Sequence, residues 1–353
     1  MIYYPGASTI LSFAGKMNNG LFTTLTSYTD TAKGFNLVPN PYPSAIDWRS
    51  PNNVGWIKTN VDSAIYIWNS GTSTSQYASY VKGVSVNGGS RYIAPGQSFF
   101  VHANLSSPVV RMDNDVRVHY TAAFMKDQEF IPNCLHLKVN ANQANDEIAV
   151  RFTEGATSGF DGAWDAYKLQ GMVDAPQLST VSSDNNDLCI NSLPIVGGNI
   201  TVPLNFSFSS SIDVTFSACG IETFKSNAPI YLEDKTDNKL VNLRLNPVYT
   251  FSYQTNNPID RFQLHFSGIN GISNLTSKDG KVYFNNGRLY IDSPGMEGNT
   301  ADISIYNLLG QLVRSEHSVI NGIVSIEAPE SPGVFIISVS SAEQHFVSKV
   351  IIK

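Results

Sequence analysis

Apolar and polar residues alternate in short runs along most of this chain, and Gly, Pro, Asn and Ser separate the runs. Representative runs are EIAVRF, IDVTFS and DRFQLHF. A period of two places the apolar side chains on one face of a β-strand. No long stretch carries apolar residues at the helical positions i, i+3, i+4 and i+7. The pattern predicts an all-β protein built from tandem β-sandwich or jelly-roll-like modules.

Changes in this pattern divide the chain into four parts. Residues 1–128 and residues 129–268 each contain many short β-type runs, so each is predicted to be a β-sandwich module. Residues 269–277 are rich in Gly, Asn and Ser and are predicted to be a linker. Residues 278–353 hold about seven short strands, which suits one small sandwich.

Composition narrows the classes of protein to which the chain can belong. Hydrophobic residues make up 42% of the 353 residues and charged residues 15%, which favours a folded, extracellular type of β-protein over disorder. A net charge of −6 offers no basic surface to nucleic acid, and no apolar run is long enough to span a membrane. The stretch after Met1 lacks the features of a signal peptide. For an exported protein, this start indicates a truncated gene model, a recombinant fragment or the end of a larger protein.

Catalytic motifs are missing from the sequence. It contains no HExxH, GxSxG, GxGxxG or Walker-type loop. Several histidines occur within β-type runs, where a half-buried imidazole with a hydrogen-bond partner is the expected state: His102, His119, His136 and His265. Carboxylates are frequent in the second module: Glu147, Glu154, Asp161 and Asp165. A glycosidase needs two carboxylates across a cleft, and spacing alone does not establish one. We expect no enzymatic activity and no cofactor.

The three cysteines are Cys134, Cys189 and Cys219. Their odd number and the lack of a C-x-x-C spacing exclude a zinc knuckle and a disulfide framework. Three buried free thiols are expected, with one bridge and one free thiol as the alternative. The turns at 113–115 and 184–187 carry the Asp and Asn oxygens that calcium prefers, but such residues are also ordinary in turns, and no metal site is predicted.

A proline-rich segment, FNLVPNPYPSAIDW, has Pro39, Pro41 and Pro43 at alternate positions. Proline lacks a backbone N–H and disfavours helix before it, so the segment must be extended and cannot be a central strand. The bond before Pro41 or Pro43 is a candidate for the cis form. The predicted role is a stiff crossing loop held by Tyr42 and Trp48, and a binding loop is the alternative.

The run AIYIWNS gives the clearest aromatic signal in the first module. Tyr66 and Trp68 share one strand face, while Ile65 and Ile67 share the other. A strand that is apolar on both faces lies between two layers or exposes an aromatic surface. Core packing is the usual state of such rings. Because exposed rings stack on sugars, Tyr66 and Trp68 are nevertheless the candidate ligand-facing aromatics.

The stretch ADISIYNLLGQLVRSE, residues 301–316, has the pattern of a β-hairpin. Ile303 and Ile305 alternate with polar residues, and Leu312 and Val313 resume the apolar pattern after a break. Gly310 lies within the break and is expected to adopt positive φ, because a tight turn often requires it. Replacing Gly310 by valine is expected to strain this hairpin.

Four motifs follow one another in this region: KVYFNNGRLYIDS, ADISIYNLLGQLVRSE, SPGVFIISVSS and the terminal KVIIK. Together they resemble the C-terminal sorting domain of type IX secretion cargo in Bacteroidota, over about the last 75 residues. The motif residues taken as the sorting signal are Ile305, Tyr306, Asn307, Leu308, Leu309, Gly310, Pro332, Gly333, Lys349, Val350, Ile351, Ile352 and Lys353.

The resemblance implies a small immunoglobulin-like β-sandwich that the export machinery recognises. The implied partners are the type IX translocon, a shuttle barrel and a sortase-like peptidase. The implied location is extracellular or on the outer cell surface. Residues 1–268 also resemble a module pair that recurs in large surface proteins of the same phylum and has no established activity.

Two functions are consistent with this sequence. The preferred one is a secreted or surface-anchored, non-enzymatic multidomain adhesin, in which residues 1–268 bind a glycan or another surface ligand. The alternative is the accessory C-terminal region of a larger exported hydrolase whose catalytic domain lies upstream of Met1. Neither function involves nucleic acid.

Overall fold

A computed structural model divides the chain into two compact units, residues Met1–Gly271 and Ile272–Lys353. It describes residues 15–29, 34–49, 54–69, 76–119, 131–195, 199–225, 228–267, 281–285, 287–293, 296–307, 311–341 and 345–352. The predicted linker at 269–277 lies outside the described residues. The N-terminal unit contains both predicted modules, called here the first half and the second half. The boundary between residues 128 and 129 stays a prediction.

The described residues form strands and turns, with two short 3-10 helices at Asn114–Val116 and Ile221–Thr223. The prediction of an all-β protein is therefore confirmed. Among the described residues, no helix has the length and apolar character needed to cross a membrane.

Strands β1 to β11 belong to the first half and form three sheets, with orders β1-β10-β4, β11-β3-β8 and β2-β9-β5-β6-β7. Their bounds are Phe22–Thr24 (β1), Phe35–Pro39 (β2), Ala45–Asp47 (β3), Trp56–Thr59 (β4), Ile65–Asn69 (β5), Gln76–Val81 (β6), Val84–Val86 (β7), Tyr92–Ile93 (β8), Ser98–His102 (β9), Val109–Met112 (β10) and Arg117–Val118 (β11).

The proline-rich segment begins in β2, an edge strand that pairs only with β9. Beyond it, the Tyr42 hydroxyl donates to the carbonyl of Gly20 at 2.7 Å, and the Trp48 indole donates to the carbonyl of Ser63 at 2.8 Å. Both rings are buried, and Trp48 packs edge-on against Phe99. Tyr42 and Trp48 therefore hold the segment, as predicted. Its end, Ala45–Asp47, forms β3, the central strand in the order β11-β3-β8, which corrects the expectation that the segment contains no central strand. The three prolines lie outside β3, so this strand keeps its backbone N–H groups for pairing. The described peptide bonds are all trans.

Strands β12 to β22 belong to the second half and join into one sheet of eleven strands. Their order is β20-β19-β22-β17-β15-β16-β13-β12-β18-β21, with β14 paired to β16. Their bounds are Cys134–Ala141 (β12), Ala144–Phe152 (β13), Ala166–Tyr167 (β14), Gln177–Val181 (β15), Asp187–Leu193 (β16), Asn199–Ser207 (β17), Ile212–Cys219 (β18), Ile230–Asp234 (β19), Lys239–Asn242 (β20), Val248–Tyr253 (β21) and Phe262–Ser267 (β22). The pairing of β13 with β16 is parallel.

A buried carboxylate joins the two ends of this sheet. Asp234 in β19 accepts two hydrogen bonds from Arg261, at 2.8 and 2.6 Å, and one from the Tyr249 hydroxyl in β21 at 2.9 Å. Asp234 and Arg261 are almost completely buried. Burial raises the pKa of Asp234, but hydrogen bonds from Arg261, Asp237 and Tyr249 outweigh it and hold that pKa below its ordinary value. The ion pair therefore remains charged inside the fold.

The two halves meet across the outer face of the β5–β6–β7 region. Tyr66, Val84 and Val86 from the first half share a buried cluster with Cys134 and Ile190 from the second. This contact also has a polar part, in which Lys168 donates to the buried carboxylate of Asp146 at 2.5 Å. The Asn87 amide from the first half donates to the same carboxylate at 2.9 Å. Because the buried charges have partners, directional hydrogen bonds as well as apolar contacts hold the two halves in one orientation.

The C-terminal unit contains two sheets, with orders β23-β24-β27 and β26-β25-β28-β29. Their strands are Lys281–Asn285 (β23), Arg288–Asp292 (β24), Thr300–Asn307 (β25), Leu312–Val319 (β26), Ile323–Glu327 (β27), Gly333–Ser340 (β28) and His345–Ile352 (β29). Ile303 and Ile305 from β25 pack in one core with Leu289, Ile326 and Ile337. Strands β25 and β26 pair as predicted, while residues 308–310, including Gly310, lie outside the described residues.

The Asp234 junction gives a first test of the fold. Asp234→Ala leaves the Arg261 guanidinium buried without its carboxylate, so we expect a loss of about 3–5 kcal/mol in the free energy of unfolding. Lys235→Ala is the matched control, because Lys235 pairs with Asp260 at 2.7 Å on the surface and should change the same quantity by less than about 1 kcal/mol. Urea unfolding measures both, and equal losses would contradict this assignment.

The C-terminal unit allows a similar comparison within one motif region. Ile305 is completely buried, whereas Ile351 is 57% exposed. Ile305→Ala should cost about 2–5 kcal/mol because it opens a cavity in the core, and Ile351→Ala should change stability by about 0.5 kcal/mol or less. Circular dichroism melts of residues 272–353 measure the difference. Similar melting temperatures for the two variants would show that the core is not centred on β25.

Candidate functional site

The structure places the two predicted ligand-facing aromatics in different surroundings. Tyr66 is 1% exposed, and its hydroxyl accepts the backbone N–H of Tyr167 at 2.9 Å. It belongs to the contact between the two halves, so its ring offers no face to a ligand. Trp68, near the end of the same strand, is half-buried and packs edge-on against Tyr77 at 5.0 Å. Tyr77 in turn packs edge-on against Phe100, with 6.0 Å between the ring centroids.

Trp68, Tyr77 and Phe100 form what we call the aromatic strip. All three are half-buried, and Leu37, opposite Phe100 in the sheet, is 41% exposed. Tyr77 and Phe100 pack against the buried cluster that contains Tyr66, and Trp68 extends the same strand face away from it. Both alternatives for this strand therefore apply, because one end lies between layers and the other is partly open to solvent.

A groove on the second half combines an aromatic ring with several polar side chains. It has a volume of about 330 Å³ and is lined by Tyr231, Glu233, Asn238, Lys239, Leu240 and His265. Strand alternation explains this set, because Ile230, Leu232 and Asp234 point inward and Tyr231 and Glu233 point outward. Tyr231 lies directly opposite His265 on β22, and Glu233 lies opposite Leu240 on β20.

Hydrogen bonds fix the polar side of this groove. The His265 Nε2 lies 2.6 Å from a Glu233 carboxylate oxygen, and its Nδ1 lies 3.1 Å from the Thr201 hydroxyl. Thr201 is opposite His265 on β17, so three neighbouring strands contribute to one row. The Lys239 ammonium lies 3.8 Å from an Asp237 carboxylate oxygen, and its side chain is 57% exposed. The groove thus presents a ring, a carboxylate, an amide and an ammonium within one shallow surface.

This set of groups can make both polar and apolar contacts with a sugar. Among the residues that line the groove, Glu233 is the one carboxylate, whereas a glycosidase needs two. Hydroxyl groups of a sugar can accept from Asn238 and Lys239 and donate to Glu233, while an aromatic ring covers the apolar face of the sugar. Sequence reasoning missed this groove, because Tyr231 and His265 are far apart in the chain and only the pairing of β19 with β22 brings them together.

The histidines singled out in the sequence have polar partners. His102 Nδ1 lies 2.7 Å from a carboxylate oxygen of the buried Asp62, and Asn104 donates to the other oxygen at 2.7 Å. His136 Nδ1 lies 3.0 Å from Glu147. His119 is exposed at the end of the first half.

The carboxylates singled out in the second half serve local structure. Asp165 is buried and accepts the backbone N–H groups of Ser192 at 2.6 Å and Asp161 at 2.7 Å. Burial raises the pKa of Asp165 to about 7 despite these hydrogen bonds. Glu154 is exposed. Asp161 and Asp165 therefore shape the loop between β13 and β14, whereas Glu147 lies on β13 and pairs with His136.

The Asp- and Asn-rich turns are held by their own hydrogen bonds. Asp113 accepts from the backbone N–H of Asp115 at 2.9 Å, and Asp184 accepts from that of Phe160 at 3.0 Å. Within the described part of the chain, no group of three or more His, Cys, Asp or Glu side chains is arranged to hold a metal ion. The three cysteines are free, and Cys219 is exposed, which corrects the expectation that all three thiols are buried.

The residues of the predicted sorting signal lie in three places in the C-terminal unit. Ile305 is in the core, and Tyr306 and Asn307 end β25 half-buried. Pro332 is exposed directly before Gly333, which begins β28. The terminal motif forms the end of β29, an edge strand paired only with β28.

Within β29, Val350 and Ile352 face the core while Ile351 is exposed, and Lys349 pairs with Ile336 in register. Leu308, Leu309, Gly310 and Lys353 lie outside the described residues. The motif is therefore partly a core element and partly an accessible edge.

Comparison with known families agrees with this division into two units. Residues 285–353 match the family described as a secretion system C-terminal sorting domain. This match implies export, a surface or extracellular location and interaction with the type IX secretion machinery. No curated protein matches the chain. Residues 4–266 match a second family, and because this match covers more than half of the chain, the protein belongs to the family described as a domain of unknown function, DUF8693.

Proposed function

We propose that this protein is a secreted or surface-anchored cargo of the type IX secretion system whose N-terminal unit binds carbohydrate without catalysing a reaction. The observation that carries the export part is the sorting-domain match over residues 285–353, which coincides with a separate compact unit. A unit with its own core can be recognised independently of the cargo to which it is attached.

The sorting unit offers a recognition surface in its edge strands. In the sheet order β26-β25-β28-β29, strands β26 and β29 each pair with one neighbour. Leu312, Val313 and Ile351 on these strands are about half exposed. Edge strands with apolar side chains are suited to pairing with another protein. We assign the contacts with the translocon, the shuttle barrel and the sortase-like peptidase to this unit.

The groove around Tyr231 supports the carbohydrate-binding part. Its aromatic ring, its fixed Glu233–His265 pair and the exposed Lys239 supply the mixture of apolar and polar contacts that sugars need. Because Glu233 and His265 already hold each other, little side-chain freedom would be lost when a ligand binds. A surface site of this kind fits an adhesin, which binds glycans outside the cell.

Export is tested with a fluorescent protein that carries a signal peptide and residues 272–353. In a bacterium with an active type IX system, we expect this fusion in the medium or on the cell surface, and the same protein with the signal peptide alone should stay in the periplasm. A second fusion lacking residues 349–353 should also remain in the periplasm, because the end of β29 is removed. Fractionation and fluorescence measure the outcome, and periplasmic retention of the complete fusion would count against the proposal.

Carbohydrate binding is tested by applying the purified chain to an array of bacterial and host glycans and titrating the ligands found. Tyr231→Ala should weaken binding about tenfold or more, since loss of one aromatic contact costs about 1–2 kcal/mol. Trp68→Ala is the control at the aromatic strip and should leave affinity unchanged.

The reverse result, with loss only in Trp68→Ala, would move the site to the aromatic strip. A chain that binds no glycan on the array, while remaining folded by circular dichroism, would contradict the binding role and leave the export role intact.

A further inference from the structure

A line of three side chains on the second-half sheet is not used by the proposed function. Cys134 and His136 are two residues apart on β12 and therefore share a face. The Cys134 Sγ lies 3.6 Å from His136 Nε2, and His136 Nδ1 lies 3.0 Å from Glu147 Oε1 on the neighbouring strand β13. The imidazole thus stands between a thiol and a carboxylate. This is the order of groups that activates a cysteine nucleophile.

The carboxylate in this line is itself held in place from the first half. The second oxygen of Glu147 accepts the backbone N–H of Asn87 at 2.9 Å. The Asn87 side chain donates to the buried Asp146, so its backbone is fixed in the contact between the halves. Because Glu147 is anchored and contacts Nδ1, the imidazole is oriented with Nε2 toward the sulfur. The arrangement therefore depends on both halves.

The imidazole that contacts the thiol is positively charged. Burial lowers the pKa of His136, but its hydrogen bonds with Cys134 and Glu147 outweigh this and raise that pKa to about 10, so the imidazolium is present at neutral pH. Arg151 lies directly opposite Cys134 on β13. The charge of Lys138 also lowers the pKa of Glu147. A neighbouring cation stabilises a thiolate relative to a thiol.

The other two cysteines provide contrasting surroundings in the same protein. Cys189 is buried, donates to the carbonyl of Tyr167 at 3.3 Å, and burial raises its pKa to about 11. Cys219 lies opposite His136 on β18 and is exposed. Partial burial raises its pKa, and the charges of Glu147 and Glu222 raise it further, whereas the charge of His136 lowers it. Only Cys134 makes a direct contact with an imidazole among the three.

We propose that Cys134, His136 and Glu147 form an activated-thiol site that reacts with small electrophiles of the peroxide class. The Cys134 thiolate attacks one peroxide oxygen, the O–O bond breaks, and the departing hydroxide takes a proton from the His136 imidazolium. The products are a sulfenic acid at Cys134, water and a neutral imidazole. The sulfur is oxidised by two electrons and the peroxide is reduced. His136 and Glu147 are half-buried, so only a small reagent passing the imidazole reaches the sulfur.

The test measures alkylation of each cysteine by iodoacetamide in the full chain between pH 6 and pH 8.5, followed by mass spectrometry of the peptides. The rate at Cys219 should rise about a hundredfold over this range, as it does for an ordinary thiol. The rate at Cys134 should change less than about threefold, because the His136 imidazolium that contacts Sγ is present throughout this range. Comparing each residue with itself at two pH values cancels the effect of limited access on its rate.

Two variants identify the cause. His136→Gln should restore an ordinary, steep pH profile at Cys134, and Glu147→Gln should do so in part, with folding checked by circular dichroism. Hydrogen peroxide should produce sulfenic acid at Cys134 before Cys189 and Cys219, as detected with a dimedone probe. A Cys134 that fails to react in the folded protein, or whose rate rises in parallel with that of Cys219, would overturn the proposal.

Discussion

The rest of the second half depends on its eleven-stranded sheet, and the Asp234 carboxylate holds the two ends of that sheet together. It binds Arg261 before β22 and Tyr249 in β21, and these strands lie toward opposite ends of the strand order. Removing this charge from water is costly, and only its direct partners compensate for that cost. The interaction therefore favours one closure of the sheet over other arrangements of the same apolar strands. The groove begins next to it, since Glu233 precedes Asp234 on the same strand.

A second consequence of that sheet is that its opposite regions carry different chemistry. Near β20, polar and aromatic side chains face solvent in a shallow groove. Near β12 and β13, the sheet turns toward the first half, and Cys134 is covered by Val84 and Val86 in the contact cluster. Here the Cys134–His136–Glu147 line is shielded but keeps a partly exposed imidazole. Burial thus distinguishes the proposed binding groove near β20 from the proposed thiol site at Cys134, which admits only small reagents.

The sorting unit follows a simpler plan, in which a single motif supplies both buried core residues and exposed residues. Alternation in β25 and β29 places Ile305, Val350 and Ile352 in the core and leaves Ile351 outside. A sequence motif in such a strand combines residues that make the fold with residues that a partner can contact. Substitutions at neighbouring positions therefore have different physical effects. This explains why a short pattern can identify the unit without revealing which of its side chains are recognised.

The sequence by itself determined the all-β class, the extended proline segment and the resemblance of the tail. Each rests on local properties: alternation, the missing N–H of proline, or an ordered set of adjacent motifs. Tertiary structure alone decided that Tyr66 is buried while Trp68 is half-exposed, although both share one strand face. The same holds for Tyr231 with His265 and for His136 with Glu147, which meet only through strand pairing. Alternation tells which face a side chain occupies, but what covers that face depends on residues distant in the chain.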